Sequence, residues 1–151
     1  MRFVMIVKAD EKYEAGHPPD PALMTEIGEL SVNMAEAGIL LDQGGLLPSS
    51  AGARIEASDG RIAVVDGPFR ETNELIGGYA ILKAESKAEA VELGKRFMQL
   101  HVDVLGPSYR GQLEIRQLAD APPRMDKARG RSAEAREGVA LDSPSTTEMP
   151  A

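Results

Sequence analysis

The chain has 151 residues, of which 42% are hydrophobic and 27% are charged, so it is long enough for one globular domain with a hydrophobic core. Acidic residues outnumber basic ones by 24 to 17, and the formal charge of −7 argues against a protein that binds nucleic acid or anionic membranes. The absence of cysteine excludes disulfides, thiolate nucleophiles and cysteine-ligated metal sites.

The amino-terminal part of the chain predicts a strand, a loop, a helix and a second strand. Residues 3–7 form a continuous apolar run typical of a central strand, and the polar residues 8–19 predict a loop. Asp20 is placed to cap a helix that starts at Pro21 and ends near Gly38. The apolar stripe of this helix consists of Leu23, Ile27, Leu30 and Met34. Residues 39–41 open the second strand, and Gly44-Gly45 predicts a bulge or bend in it.

The middle of the chain predicts a hairpin, a stiff corner and two further strands around a helix. Asp59-Gly60 separates two short β-type runs, 54–57 and 61–65, which is a strong hairpin signal. Residues 66–69 read Asp-Gly-Pro-Phe, a corner stiffened by proline. Residues 76–82 predict a strand, and the capping-box pattern at 86–89 opens a helix whose end before Gly106-Pro107 is left open. Residues 113–118 predict the last strand.

This order of elements predicts an α+β fold of the ferredoxin-like, split βαβ type with an inserted β-hairpin. Its antiparallel sheet should carry two helices on one face. From Ala119 onward the chain contains Pro122-Pro123, a mixture of charges and a Ser-Pro-Ser-Thr-Thr run, and its apolar residues are too sparse to bury, so we expect a domain over residues 1–118 and a disordered tail over 119–151. Five basic residues between 124 and 136 leave two interpretations of the tail, a solvated segment or a weak electrostatic arm toward an acidic partner.

The Asp-Gly-Pro-Phe corner and several other segments resemble the DGPF, or YCII-related, family of small bacterial proteins. The resemblance covers roughly residues 1–118 and includes residues 1–7, 45–50, 52–54, 86–93, 95–97, His101 and 114–117. It implies a dimeric α+β barrel of ferredoxin-like subunits, a cytoplasmic location and a function that is largely unassigned. Some relatives are encoded beside, or fused to, extracytoplasmic-function sigma factors, which implies a regulatory setting and a sigma-factor-related partner.

Candidates for proton transfer are few, because the chain has only two histidines. His101 is the better candidate, since it follows the apolar stripe of the second helix and matches a histidine of many close relatives. The alternative is a histidine stabilised only by the dipole at the helix end. Asp66, at the start of the corner, is a second candidate for moving a proton. His17, beside two prolines, is interpreted as a surface residue.

Candidates for ligand binding lie on strands or at strand ends. Asp10 and Asp42 are carboxylates that can converge in three dimensions, and Tyr79 can donate its hydroxyl into the barrel or belong to the core. Arg116 can bind a ligand carboxylate or form a cross-strand salt bridge, and Arg54 offers the same alternatives. We find no metal-ligand spacing and no nucleotide-binding motif, so neither a metal nor a cofactor is expected.

Two functions stay open from the sequence. The favoured one is a cytoplasmic homodimeric barrel that binds a small apolar-acidic ligand or a protein partner in a regulatory setting, without contacting nucleic acid or membrane. The alternative is a cofactor-free isomerase or lyase, in which His101 or Asp66 moves the proton. The acidic residues are scattered along the sequence, and no general base is paired with a second residue that would orient it. This favours the binding protein over the enzyme.

Overall fold

A computed structural model describes residues 1–70 and 74–119 of the chain. The strands in this part are β1 (Arg2–Lys8), β2 (Leu40–Gly45), β3 (Ala53–Ser58), β4 (Arg61–Asp66), β5 (Ile76–Lys83) and β6 (Leu113–Gln117). The α-helices are α1 (Glu11–Glu14), α2 (Pro21–Glu36) and α3 (Lys87–Leu105), and Ser49–Ala51 forms a short 3-10 helix. Among these described helices, none has the length and apolar character needed to cross a membrane. The predicted disordered tail lies outside the described residues, apart from Ala119.

Four strands form an antiparallel sheet in the order β2-β5-β1-β6. Both long helices pack on one face of it. The core there contains Met5, Ala80 and Leu82 from the strands, with Met34 from α2 and Leu93 from α3. The predicted α+β fold, with a ferredoxin-like sheet and two helices on one face, is therefore confirmed.

The inserted hairpin is also confirmed. Strands β3 and β4 form a separate two-stranded sheet. Its turn places Asp59 at φ 52° and Gly60 at φ 74°, and two successive residues with positive φ are what a tight hairpin turn requires.

Side-chain caps explain where the two long helices begin. The Oδ1 atom of Asp20 accepts hydrogen bonds from the backbone N–H groups of Ala22 and Leu23, at 2.8 and 3.2 Å. Helix α3 follows Ser86, whose Oγ accepts the N–H of Glu89 at 3.2 Å. The end of α3, which the sequence left open, is Leu105, because Gly106 adopts φ 92° and leaves the helical conformation.

Two local predictions were wrong. The segment 8–19 contains the short helix α1, which Asp10 caps by accepting the Tyr13 N–H on Oδ1 at 2.7 Å. The irregularity in β2 lies between Leu40 and Asp42, whereas Gly44 pairs with Tyr79 in the regular ladder. A Cβ atom on Gly44 would lie 2.9 Å from Cε1 of Tyr79, so this glycine makes room for an aromatic ring and does not bend the strand.

Candidate functional site

The face of the four-stranded sheet opposite α2 and α3 is called the open face below. Side chains alternate along a strand, and Ala80 and Leu82 belong to the core under the helices, so Tyr79 and Ile81 project from the open face. Val4 is paired with Ile81, and Ile6 with Tyr79. Val4, Ile6 and Ile81 thus form an apolar floor, and each is only partly buried.

Two of the predicted ligand-binding residues meet at the β2 edge of the open face. Asp42 is paired with Ile81, and the Tyr79 hydroxyl donates to Oδ2 of Asp42 at 3.4 Å. This distance is long for a hydrogen bond between oxygen atoms, so the contact is weak. The ring of Tyr79 lies over Gly44, where no side chain competes for the space. The pair presents a phenol and a carboxylate beside the apolar floor.

The opposite edge of the open face carries charged residues of β6. Glu114 is paired with Ile6 and Arg116 with Val4, so both project from this face. Nζ of Lys8 lies 3.6 Å from Oε2 of Glu114, so that carboxylate is matched by Lys8. The other candidate arginine, Arg54, is elsewhere: its guanidinium lies 4.0 Å from the centroid of the Phe69 ring.

His101 lies on α3 and is 7% exposed. Its Nδ1 atom is 2.9 Å from the carbonyl oxygen of Phe97. A carbonyl can only accept, so Nδ1 carries the proton, and in the neutral ring Nε2 is left as an acceptor. The imidazole lies between two aromatic rings, with centroids 4.6 Å away for Phe97 and 5.3 Å for Tyr109.

Tyr109 stacks on this histidine. Burial raises the pKa of the Tyr109 phenol above its ordinary value, and the negative charge of Asp10 raises this pKa further. The stacked pair His101 and Tyr109, together with the Asp10 charge that acts on the phenol, is called the imidazole–phenol cluster below. Tyr109 was missed by the sequence reasoning, because nothing in the loop after Gly106-Pro107 marks it as a neighbour of His101.

Asp66, the other proton-transfer candidate, lies at the end of β4. It is exposed and pairs with Ala53 across the hairpin, and no described contact joins it to His101. The adjoining corner contains a cis peptide bond between Gly67 and Pro68. The Gly67 N–H donates to the carbonyl of Gly52 at 2.9 Å.

The corner is held by Glu14, a second residue that the sequence reasoning missed. Its carboxylate accepts the backbone N–H of Ser49 at 2.9 Å and the Ser49 hydroxyl at 2.6 Å. The same hydroxyl oxygen accepts the N–H of Phe69 at 2.9 Å. Glu14 therefore connects α1 to the corner through Ser49. A signal for it was not available from sequence, because Glu14 and Ser49 are 35 residues apart.

Two surface depressions lie elsewhere on the described residues. One depression lies at the tip of the β3–β4 hairpin, lined by residues including Glu56 and Arg61. Another lies on the outer side of α2 around Gly28 and Val32. Neither includes a candidate residue. In the part of the chain that the structure describes, no group of three or more histidine or acidic residues is placed to hold a metal ion.

Comparison with known proteins decides the family. Residues 1–98 match the YCII-related domain, which is more than half of the chain. The chain belongs to the YCII-related family. An uncharacterized protein of Rhizobium meliloti (strain 1021) is 31% identical to this YCII-related protein over 100 residues, which make up 66% of this chain and 76% of that protein.

Two solved structures are similar to this YCII-related protein at low identity. One is 5-chloro-2-hydroxyhydroquinone dehydrochlorinase (TftG) from Burkholderia phenoliruptrix AC1100, in complex with 2,5-dihydroxybenzoquinone, with 12% identity, a TM-score of 0.37 and coverage of 80% of this chain and 96% of that chain. The other is the divalent cation tolerance protein CutA1 from Thermus thermophilus, with 11% identity, a TM-score of 0.32 and coverage of 84% of this chain and 93% of that chain. The fold assignment above rests on the strand order and the placement of the helices.

Proposed function

We propose that this YCII-related protein is a homodimeric α+β barrel that binds a small ligand between the open faces of two subunits. The observation that carries this proposal is the composition of the open face. Val4, Ile6 and Ile81 are apolar, occupy the middle of a sheet and are nevertheless only partly buried. An apolar sheet surface that none of the described helices covers is the kind of surface that a second subunit covers in a symmetric dimer.

The polar residues beside the floor support a ligand chamber in addition to a subunit contact. Small-molecule sites combine an apolar lining with a few polar groups that fix the orientation of the ligand. Tyr79 and Asp42 are only weakly bonded to each other, at 3.4 Å, so the hydroxyl has hydrogen-bonding capacity left for a ligand. Arg116 is exposed on the opposite edge of the same face.

A ligand screen by thermal unfolding tests the chamber. A compound that binds the folded state raises the melting temperature by mass action. Tyr79→Phe should then weaken binding of the best compound roughly tenfold, because the ligand loses one hydrogen bond to the hydroxyl. Tyr109→Phe is the matched control and should keep the affinity, since Tyr109 belongs to the imidazole–phenol cluster. Equal affinity of wild type and Tyr79→Phe would count against the chamber.

The regulatory setting is part of the proposal and has its own test. The family resemblance supports a sigma-factor-related partner, and the basic residues between 124 and 136 supply an arm for an acidic one. The full chain should retain a purified extracytoplasmic-function sigma factor from the same organism, and the chain ending at residue 118 should lose it. Equal retention by both chains would dismiss a role of the tail.

A second candidate function is a cofactor-free isomerase or lyase with His101 as the base. The specific observation in its favour is the contact between Nδ1 and the Phe97 carbonyl, which leaves Nε2 free to take a proton. The charge of Asp10 raises the pKa of Tyr109, whose ring stacks on His101, whereas no described contact joins Asp66 to His101. The test is exchange of C–H for deuterium in a panel of carbon acids, followed by NMR. His101→Gln should abolish any exchange that wild type catalyses, and exchange that persists in this variant would exclude His101.

A further inference from the structure

We propose that Arg2, Lys83 and Arg116 form an anion-binding end of the open face, which holds a carboxylate or phosphate group of the ligand. These three residues are called the cationic end below. The inference rests on the proposed ligand chamber and specifies its chemistry: the ligand is a small amphipathic anion with an apolar body.

The strand register brings the three residues together. Arg2 on β1 is directly opposite Lys83 on β5. Arg116 on β6 is opposite Val4, which makes it the diagonal neighbour of Arg2. Residues directly opposite have Cβ atoms about 5 Å apart and diagonal neighbours about 7–8 Å, so one anionic group can reach more than one of these side chains. All three residues are exposed.

This arrangement is unfavourable without an anion. Like charges directly opposite each other destabilise a pair of strands. The chain has an excess of acidic residues, 24 against 17 basic ones, yet the ion pairs found within residues 1–70 and 74–119 are Lys8–Glu114 and Lys95–Glu92, and neither involves the cationic end. An anion between two arginines and a lysine would relieve the repulsion, and the guanidinium groups can bind it through two parallel hydrogen bonds each.

The neighbouring residues set the shape of the ligand. Next to the cationic end lie Val4 and Ile81 of the apolar floor, followed by Tyr79. Tyr79 and Lys83 are four residues apart on β5, which separates their Cα atoms by roughly 13 Å. The Tyr79 hydroxyl and the Lys83 ammonium group can come closer than this when the two side chains lean toward each other. Asp42, opposite Ile81, disfavours a second anionic group. A single ring with one anionic substituent and a hydrogen-bonding group toward Tyr79 fits these limits.

Calorimetric titration of the full-length protein with benzoate, phenyl phosphate and neutral benzamide tests the cationic end. We expect at least one anion to bind about tenfold more tightly than benzamide or better, and to weaken as sodium chloride is added. Lys83→Gln and Arg116→Gln should each remove most of this preference. Lys87→Gln removes one exposed charge from α3 and should leave the preference unchanged. Whichever of the two anions binds more tightly identifies the carboxylate or the phosphate as the preferred group.

Three outcomes would overturn the inference, and they separate it from the proposed function. If benzamide bound as tightly as both anions, the proposed ligand chamber would stand, but Arg2, Lys83 and Arg116 would not be an anion-binding site. Failure of both anions to bind would reject an anionic ligand. It would leave the proposed dimeric barrel standing, because the molecular mass in solution tests the dimer separately. A smaller mass for Lys83→Gln or Arg116→Gln would mean that a carboxylate of the second subunit is the natural partner of these residues. Melting temperatures of the ligand-free variants that equal or exceed that of wild type confirm that each one is folded, since removing one of the like charges relieves repulsion.

Discussion

Gly67 illustrates how one residue limits the shape of the corner. A Cβ atom at this position would lie 1.7 Å from the carbonyl oxygen of Ser49 and 2.6 Å from its carbonyl carbon, so the backbone would have to move. We predict that Gly67→Ala lowers the free energy of unfolding by roughly 1–3 kcal/mol, the usual cost of overpacking. Urea unfolding measures this difference.

The matched control is Gly28→Ala in the interior of α2. Apart from the backbone of α2 itself, no heavy atom of the described residues lies within 4 Å of a Cβ built at Gly28. Alanine is the better helix former by about 0.5–1 kcal/mol, so this variant should be more stable than wild type. A loss of stability in both variants, or in neither, would contradict the role given to Gly67.

Tyr109 gives a prediction for the alkaline limb of the stability profile. Its folded pKa is raised above 10.0, first by burial and then by Asp10. A raised pKa means that the contribution of Tyr109 to stability is fully present below about pH 10, the unfolded value, and is lost as pH rises through the folded pKa. Wild type should therefore lose stability more steeply above pH 10 than Tyr109→Phe does.

Urea unfolding of both proteins at about pH 9 and pH 11 measures the effect. The difference between their absorbance titrations gives the titration of Tyr109 itself. Asp10→Asn should lower this pKa but keep it above 10.0, because burial is the larger cause. Parallel stability profiles of wild type and Tyr109→Phe would contradict the prediction.

Residue type and position along the chain predict some members of the candidate sites. His101 is one of only two histidines and is preferred because it follows the apolar stripe of the second helix and matches a histidine of relatives, whereas Tyr79 and Asp42 are predicted from their places on strands. Their surroundings did not follow from sequence. The contact between His101 and Tyr109 depends on how the loop after α3 returns toward the helix, and no local pattern encodes that path. Arg2 and Lys83 could have been found from the alternation along β1 and β5 once the register was known.

At the scale of elements, Glu14 and Ser49 join three parts of the chain: helix α1, the short 3-10 helix at 49–51 and the Asp-Gly-Pro-Phe corner. We predict that these two residues are energetically coupled. In a double-mutant cycle of Glu14→Gln and Ser49→Ala, the coupling energy should be about 1 kcal/mol, because both residues are only partly buried.

Urea unfolding of wild type, the two single variants and the double variant gives this coupling energy. The pair Glu11→Gln and Ser49→Ala is the control, since Glu11 is exposed on the same short helix and is not bonded to Ser49. Its effects should add within about 0.5 kcal/mol. Additive effects for Glu14 and Ser49 as well would show that the described bonds do not stabilise the corner.

The elements that the sequence predicted correctly are those with local signals. Asp20 and Ser86 act as caps, the apolar stripe of α2 has helical spacing, and Asp59-Gly60 has the residues of a tight turn. Helix α1 was missed because four residues are too short for a periodic pattern. Gly44 was misread as a bend because its reason, the Tyr79 ring of the neighbouring strand, is not visible in the sequence of β2.

For the whole molecule, net charge and local charge point to different ligands. The formal charge of −7 argues against nucleic acid as a partner. The strand register, however, places Arg2, Lys83 and Arg116 at one end of the open face. Composition averages over such features, so the net charge disfavours a large polyanion but has no bearing on a small anionic ligand.

The dimer is the prediction on which the chamber depends. Sedimentation equilibrium or light scattering should give about twice the single-chain mass of 16.2 kDa. Ile81→Lys places a charge in the middle of the apolar floor and should shift the protein to the monomer. In the isolated subunit this lysine would lie opposite Asp42, which can pair with it, so the fold itself should tolerate the change.

Val91→Lys is the control, because Val91 is 37% exposed on α3, away from the open face, and this variant should keep the mass of wild type. A wild-type mass near 16.2 kDa, or an Ile81→Lys variant that keeps the doubled mass, would mean that the open face is not where two subunits meet.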